Sequence, residues 1–344
     1  MVTAATESLV STGAETSQRA EYGRTLALYA LTLLTVVTLN FVLPRVMPGD
    51  PLNALVDPES GAYFLAEEVR GRLAAYYGLD RPLPEQYLGY LANLIRGDLG
   101  WSISQKAPVA DLIAAHLPWT LLLTLPSILL ATTISLLIGG HAGWVRGTLA
   151  DRALLVSCVT LGTTPVFLVG IALLLVFSVR LGILPMAGSS TAFAVYSSPF
   201  EQLVDVLSHL ALPMASLTLV MIGRDFLLVR SSMIAVLGED FMLVARAKGL
   251  SDRALKYGHA LRNALLPVVT RFSMQLAGAV TGTVLIETLF AYPGMGRLMF
   301  SGVGARDYPL LEGCFLVTGI AVIAANVVAD LSYAWLDPRT RSKA

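Results

Sequence analysis

Apolar residues gather into six long runs, at 25–43, 120–140, 153–179, 207–228, 265–290 and 310–335. Each is about as long as the ~20 residues a helix needs to cross the hydrocarbon core. The pattern predicts an all-α, polytopic membrane protein with six transmembrane helices and both ends on one side. The first run is too long for the apolar part of a signal peptide, and no small-residue cleavage site follows it. It is read as a retained helix over 25–46. Polar segments divide the rest. Residues 1–24, rich in Ser, Thr, Ala and Glu, read as a disordered tail. Residues 47–115 read as an external loop region with a helical piece at 65–77. Residues 116–336 hold the five-helix core, and 337–344 form a second tail.

Composition agrees. The 344 residues are 55% hydrophobic and 14% charged, with mean hydropathy +0.67, against about 25% charged in soluble domains. Net charge is zero, which gives no argument for a nucleic-acid partner. The partner that composition does imply is the lipid bilayer. Cys158 and Cys314 both fall in apolar runs and read as buried thiols; they form neither a disulfide framework nor a zinc pattern.

The distribution of charge sets orientation. Short loops on one side carry Arg19, Arg24, Arg146, Arg152, Arg230, Arg246, Lys248, Arg253, Lys256, Arg262, Arg339, Arg341 and Lys343; those on the other carry Arg180, Arg297 and Arg306. The positive-inside bias places both termini and the basic loop at 239–263 in the cytoplasm.

Little in the chain suggests catalysis. No Gly-Lys dipeptide occurs, so the phosphate-cradling loop of the usual ATPases is missing. His116, His141, His209 and His259 show no metal-ligand spacing, and there is no Ser/His/Asp set. Charges within the apolar runs are more informative. Arg224 and Asp225 lie in the fourth, Arg271 and Glu287 in the fifth. Such groups pair with one another or line a polar path, and the sequence leaves both readings open. Thr164-Pro165 interrupts the third run, as a kink or as a gate, and Pro213 lies early in the fourth. Gly278, Ala279 and Gly282 on the fifth offer a packing seam for a second membrane subunit.

The loop at 239–263 has its own structure. Residues 241–248 contain no Pro or Gly and read as a helix that breaks at Gly249. Ser251 is placed as an N-cap, with Asp252 favoured in the first turn. A second short helix then runs over 251–257 and is expected to stop at Gly258. Two helices joined at a Gly make a protruding knuckle suited to docking another protein.

The wording VARAKGLSDRALKYGHALRNALLPVV resembles the signature loop of ABC importer membrane subunits, most narrowly the dipeptide/oligopeptide/nickel permeases of first-subunit type. The Glu-Ala-Ala and Gly of the general motif fall on Leu243, Val244, Ala245 and Gly249. GLDRPLPEQY, RGDLGWSI, AYPGMGR (291–297), ARDYP (305–309) and DPR (337–339) carry the resemblance along nearly the whole chain. It implies a type I permease fold in a prokaryotic cell membrane. It also implies a second homologous permease, two ABC ATPase subunits that bind ATP and Mg, and an extracytoplasmic substrate-binding protein. The coupling residues it implies are Ala245, Arg246, Ala247, Lys248, Gly249, Leu250, Ser251, Asp252, Arg253, Ala254 and Tyr257. Thr164, Pro165, Arg224, Asp225, Arg271 and Glu287 are the candidates for the translocation path. The substrate implied is a short peptide, with nickel or another small solute as the alternative. No cofactor is expected in this chain. A self-contained channel or secondary transporter would instead show an internal repeat and charge-lined broken helices at mid-membrane, which the sequence does not clearly show.

Overall fold

The computed structural model describes residues 27–46, 52, 71, 72, 74, 75, 78–279 and 283–336. The expected tails at 1–24 and 337–344 lie outside these residues, as do most of 47–77 and Gly282. Of the helical piece expected at 65–77, residues 71, 72, 74 and 75 are described and are helical. Among the described residues there is no strand, only an isolated bridge between Trp101 and Pro108.

The chain forms two compact units, residues 1–109 with 305–323, and residues 110–304 with 324–344. In the first, α1 (Ala27–Val46) is a candidate span and α2 (Leu83–Ile95) follows in the external segment. The first unit also holds the start of α11 (Tyr308–Leu336). Asp307 organises that start. One of its carboxylate oxygens accepts from Ser102 Oγ at 2.6 Å, Ser104 N at 2.8 Å and Ser104 Oγ at 2.7 Å. The other accepts from Leu310 N at 3.2 Å, which caps the helix. Two pieces noted separately in the sequence, GWSI and ARDYP, thus meet at one buried carboxylate.

The second unit holds α3 (Val109–Trp144), α4 (Leu149–Thr163), α5 (Val166–Leu173, extended by a π-helical stretch to Arg180) and α6 (Pro199–Leu237). It continues with α7 (Asp240–Ala247), a π-helical segment at Ala254–Leu261, α8 (Arg262–Gly278), α9 (Val284–Leu289) and α10 (Met295–Ala305). Helix α3 starts well before residue 120 because Val109 and Ile113 are buried and Asp111 suits a helix N-terminus.

The all-helical membrane fold is as expected, but two of the predicted runs are not straight rods. Among the described residues four helices are long and apolar enough to span, and α4 with α5 makes a fifth if counted as one, bent by 102°. The bend sits at Thr164-Pro165, where Pro removes a backbone donor. The run at 265–290 is the one that does not count as a span. Its described residues form α8, which carries Arg262 and Arg271 and ends at Gly278, and α9 from Val284; residues 280–282 between them lie outside the described residues.

Glycines set the closest packing of this unit. A Cβ on Gly223 of α6 would stand 2.3 Å from the Gly162 nitrogen and 2.5 Å from the Cys158 carbonyl oxygen of α4. Gly139 and Gly143 of α3 similarly admit Val229 and Met233 of α6. Small residues let backbones approach in this way within membranes. Around the contact lie buried Ala131, Ala142, Cys158, Ile222 and Phe226. Of the expected seam, Gly278 is exposed and Ala279 buried within the chain.

Candidate functional site

Three places carry polar chemistry in the second unit. The first is the knuckle. Helix α7 forms as expected, one residue from its predicted start. Gly249 has φ +74°, a left-handed turn that glycine adopts without steric cost. Ser251 Oγ lies 3.4 Å from the Ala254 nitrogen, long for a capping bond. The expected stop at Gly258 does not occur. The helix widens into π geometry over Ala254–Leu261 and passes into α8 without a break. Packing holds it there: Leu255 and Ala260 join Met233, Met242 and Ala245 in one buried cluster with Trp144 and Leu261 against it. Lys256 also turns inward, with Nζ 2.9 Å from His141 Nδ1.

The opposite side is open. Leu250, Arg253 and Tyr257 are exposed and Ala254 half-buried, the face expected from residues three and four apart. Arg246, Ala247, Lys248, Ser251 and Asp252 are exposed beside them, and Ala245 is buried. Phe241, Leu243 and Val244 of α7 are exposed apolar residues too, and the sequence reading passed over them. The knuckle therefore presents an apolar surface with a basic border. An ion pair joins α4 to α6: Arg230 Nε and Nη2 donate to the two oxygens of Asp151 at 2.7 and 2.8 Å. This bidentate geometry is the strong form of the pair.

The second place is the charge cluster on α6 and α8. Gln275 Nε2 donates to both Asp225 oxygens, at 3.0 and 2.9 Å, and Arg271 Nε lies 3.4 Å from one of them. Asp225 is 4% exposed, so it faces its own chain. The Arg271 side chain is 43% exposed. Arg224 is exposed as well, and its Nε lies 3.3 Å from the Gly162 carbonyl oxygen, next to the α4–α5 bend. Pro165 is exposed and Thr164 half-buried at that bend.

The third place is Glu287, which is fully buried. Thr120 Oγ1 donates to it at 2.9 Å and the Arg297 backbone N–H at 2.8 Å. Thr120 Oγ1 in turn accepts from Met295 N at 2.7 Å. The N-terminus of α10 is thereby capped by a carboxylate and a hydroxyl from elsewhere in the chain, where a helix dipole favours an anion. The glycines of AYPGMGR make room, since a Cβ on Gly294 would stand 2.3 Å from Glu287 Cδ. Beside it Trp119 meets Tyr292 edge-on at 5.9 Å. Burial, and then the nearby Glu287 carboxylate, push the Tyr292 phenol above its ordinary range.

The carboxylates of Asp225 and Glu287 are thus held by hydrogen bonds within the chain. Glu287→Ala should strand two buried donors at about 1–3 kcal/mol each. Gly294→Ala should act on the same contact by overpacking, at about 1–3 kcal/mol. Both variants should lower the melting temperature of the detergent-extracted protein. Melting as in the wild type would show that this capping contributes nothing.

Residues 131–342, which include the knuckle, the charge cluster and AYPGMGR, match the family described as the binding-protein-dependent transport system inner membrane component. The chain belongs to this family. Relatives extend the similarity over nearly the whole length of this inner membrane component. The di/tripeptide transport system permease protein DppB of Pseudomonas aeruginosa is 36% identical, covering 92% of this chain and 97% of that one. The oligopeptide transport system permease protein AppB of Bacillus subtilis is 35% identical, covering 89% and 94%. The glutathione transport system permease protein GsiC of Escherichia coli is 36% identical, covering 91% and 95%. Membership makes the chain a multi-pass inner-membrane permease component of a bacterial transport system.

Proposed function

We propose that this chain is one of two permeases in an ABC importer of short peptides, and that its knuckle receives the motion of a cytoplasmic ATPase. The observation that carries the coupling role is the two-sidedness of the segment 250–261. Leu255 and Ala260 lock it to the bundle while Leu250, Arg253 and Tyr257 stay open. The peptide substrate is supported by what the relatives are named for: di- and tripeptides, oligopeptides, and glutathione, itself a tripeptide. The assembly holds a second permease, two ATPase subunits that bind ATP and Mg, and a binding protein outside. Thr164, Pro165, Arg224 and Arg271 line the path in this reading, because exposed cations at membrane depth require water or a partner subunit against them. Both termini face the cytoplasm.

Co-purification from the native membrane followed by reconstitution tests the proposal. Uptake of labelled di- or tripeptide should require ATP, the binding protein and both permeases. The purified chain alone should hydrolyse no ATP, as it has no phosphate-binding loop. A cysteine at Ser251 should be labelled only from the cytoplasmic face and one at Ser189 only from outside. ATP-independent uptake by this chain alone would establish a self-contained transporter instead.

A further inference from the structure

Helix α2 belongs to the segment expected to be an external loop, and it lies before the family-matched residues. Its 13 residues divide into three faces. At 100° per residue, Pro84, Leu88, Leu91, Ala92 and Ile95 fall within an arc of about 100°, and none of them has a polar side chain. Leu88 is 65% and Ile95 88% exposed. On the far arc Glu85, Gln86, Gly89 and Asn93 line a cavity of about 370 Å³ that Arg45 and Glu312 also border. Between these arcs Tyr87 and Tyr90 pack on Phe41 of α1, with ring centroids 5.1 and 5.7 Å apart.

The packing on α1 fixes the depth of α2. Tyr87 Oη lies 2.8 Å from Thr38 Oγ1, and Arg45 Nε donates to Gln86 Oε1 at 3.2 Å. Helix α1 is a candidate span whose last described residue is Val46. Thr38 sits eight residues before it, about 12 Å along the helix at 1.5 Å per residue. Helix α2 therefore lies alongside the last turns of α1, not above them. The exposed residues Leu39, Val42, Leu43 and Val46 of α1 form a stripe adjoining its α2-facing side, so an exposed apolar surface at the same level lies beside α2. Tyr90, Trp101 and Tyr308 border the cavity at this level, as aromatic side chains do at a membrane interface.

We infer that α2 is an interfacial helix set into the outer leaflet, with Leu88, Ala92 and Ile95 against acyl chains and its polar arc turned to the cavity. Amphipathic helices of this kind sink about 5–10 Å into the headgroup boundary. The inference rests on α1 being a span and on the proposed cytoplasmic termini, and is independent of the peptide reading.

The test uses the assembled transporter in phosphatidylcholine/phosphatidylglycerol nanodiscs. Single cysteines replace Leu88, Ile95, Glu85 or Asn93 in a chain carrying Cys158→Ala and Cys314→Ala, and each is labelled with an environment-sensitive fluorophore. Doxyl-labelled lipid should quench positions 88 and 95 about twofold or more above positions 85 and 93, as an interfacial helix requires. Equal quenching at all four positions would overturn the inference. A photo-crosslinking residue at 88 or 95, in the chain with its native cysteines, should capture phospholipid. Capture of the binding protein or of the second permease at both positions would show a protein surface there and would equally overturn it.

Discussion

Gly223→Val should leave almost no folded permease in the membrane. The contact it disrupts lies between two backbones. A Cβ at residue 223 would stand 2.3 Å from the nitrogen and 2.6 Å from the Cα of Gly162, and 2.5 Å from the Cys158 carbonyl oxygen. No rotamer change relieves it. Helices α4 and α6 must separate, which opens the cluster of Ala131, Cys158, Ile222 and Phe226 and pulls Arg224 from the Gly162 carbonyl. Overpacking costs about 1–3 kcal/mol where side chains can yield, and backbone yields less. The yield of monodisperse protein after extraction should fall about tenfold, the equivalent of 1.4 kcal/mol. Gly223→Ala should fall between that and the wild type. Gly258→Ala is the control, since nothing lies within 4 Å of its Cβ and alanine favours helix by about 0.5–1 kcal/mol. Equal yields for Gly223→Val and Gly258→Ala would refute the close contact.

Ala254→Glu should abolish transport while leaving the chain inserted and paired with its partner permease. Residue 254 lies on the open face with Leu250, Arg253 and Tyr257, so a carboxylate there enters the proposed ATPase contact unpaired. Gly249→Val should act differently. It has open space around its Cβ but must hold φ +74°, at about 1–2 kcal/mol for an L residue. The knuckle would then re-aim its second helix. In both variants ATPase subunits should be lost on purification, or hydrolysis should no longer respond to loaded binding protein. Wild-type transport with ATPases retained in both would remove the coupling role from this loop.

The residues that sequence reading placed well are those whose meaning is local. Gly249 was legible because a lone Gly between helix-forming residues marks a left-handed turn. The α7 helix was legible from its uninterrupted run. Gly258 misled, because a Gly after a short helix reads as a stop, and only the burial of Leu255 and Ala260 shows why the helix goes on. Glu287 was seen as a charge near a span end; its donor Thr120 is 167 residues away, and no local pattern links them. The pairing of Gly162 with Gly223 was illegible for the same reason. The amphipathic arc of α2 was available from spacing alone, but it sat in a segment already assigned to the exterior.

The passage of the knuckle helix into α8 has a mechanical consequence. From Asp252 to Gly278 the chain is one helical body, about 40 Å long at 1.5 Å per residue. One end carries Tyr257 on the open face, and the other half carries Arg271 and Gln275, which hold Asp225 of α6. The flexible joint, Gly249, lies upstream of this body and not within it. Under the proposed coupling role, a push on Tyr257 would travel to the Asp225 cluster through this continuous helix, with Pro267 as the point at which it can bend.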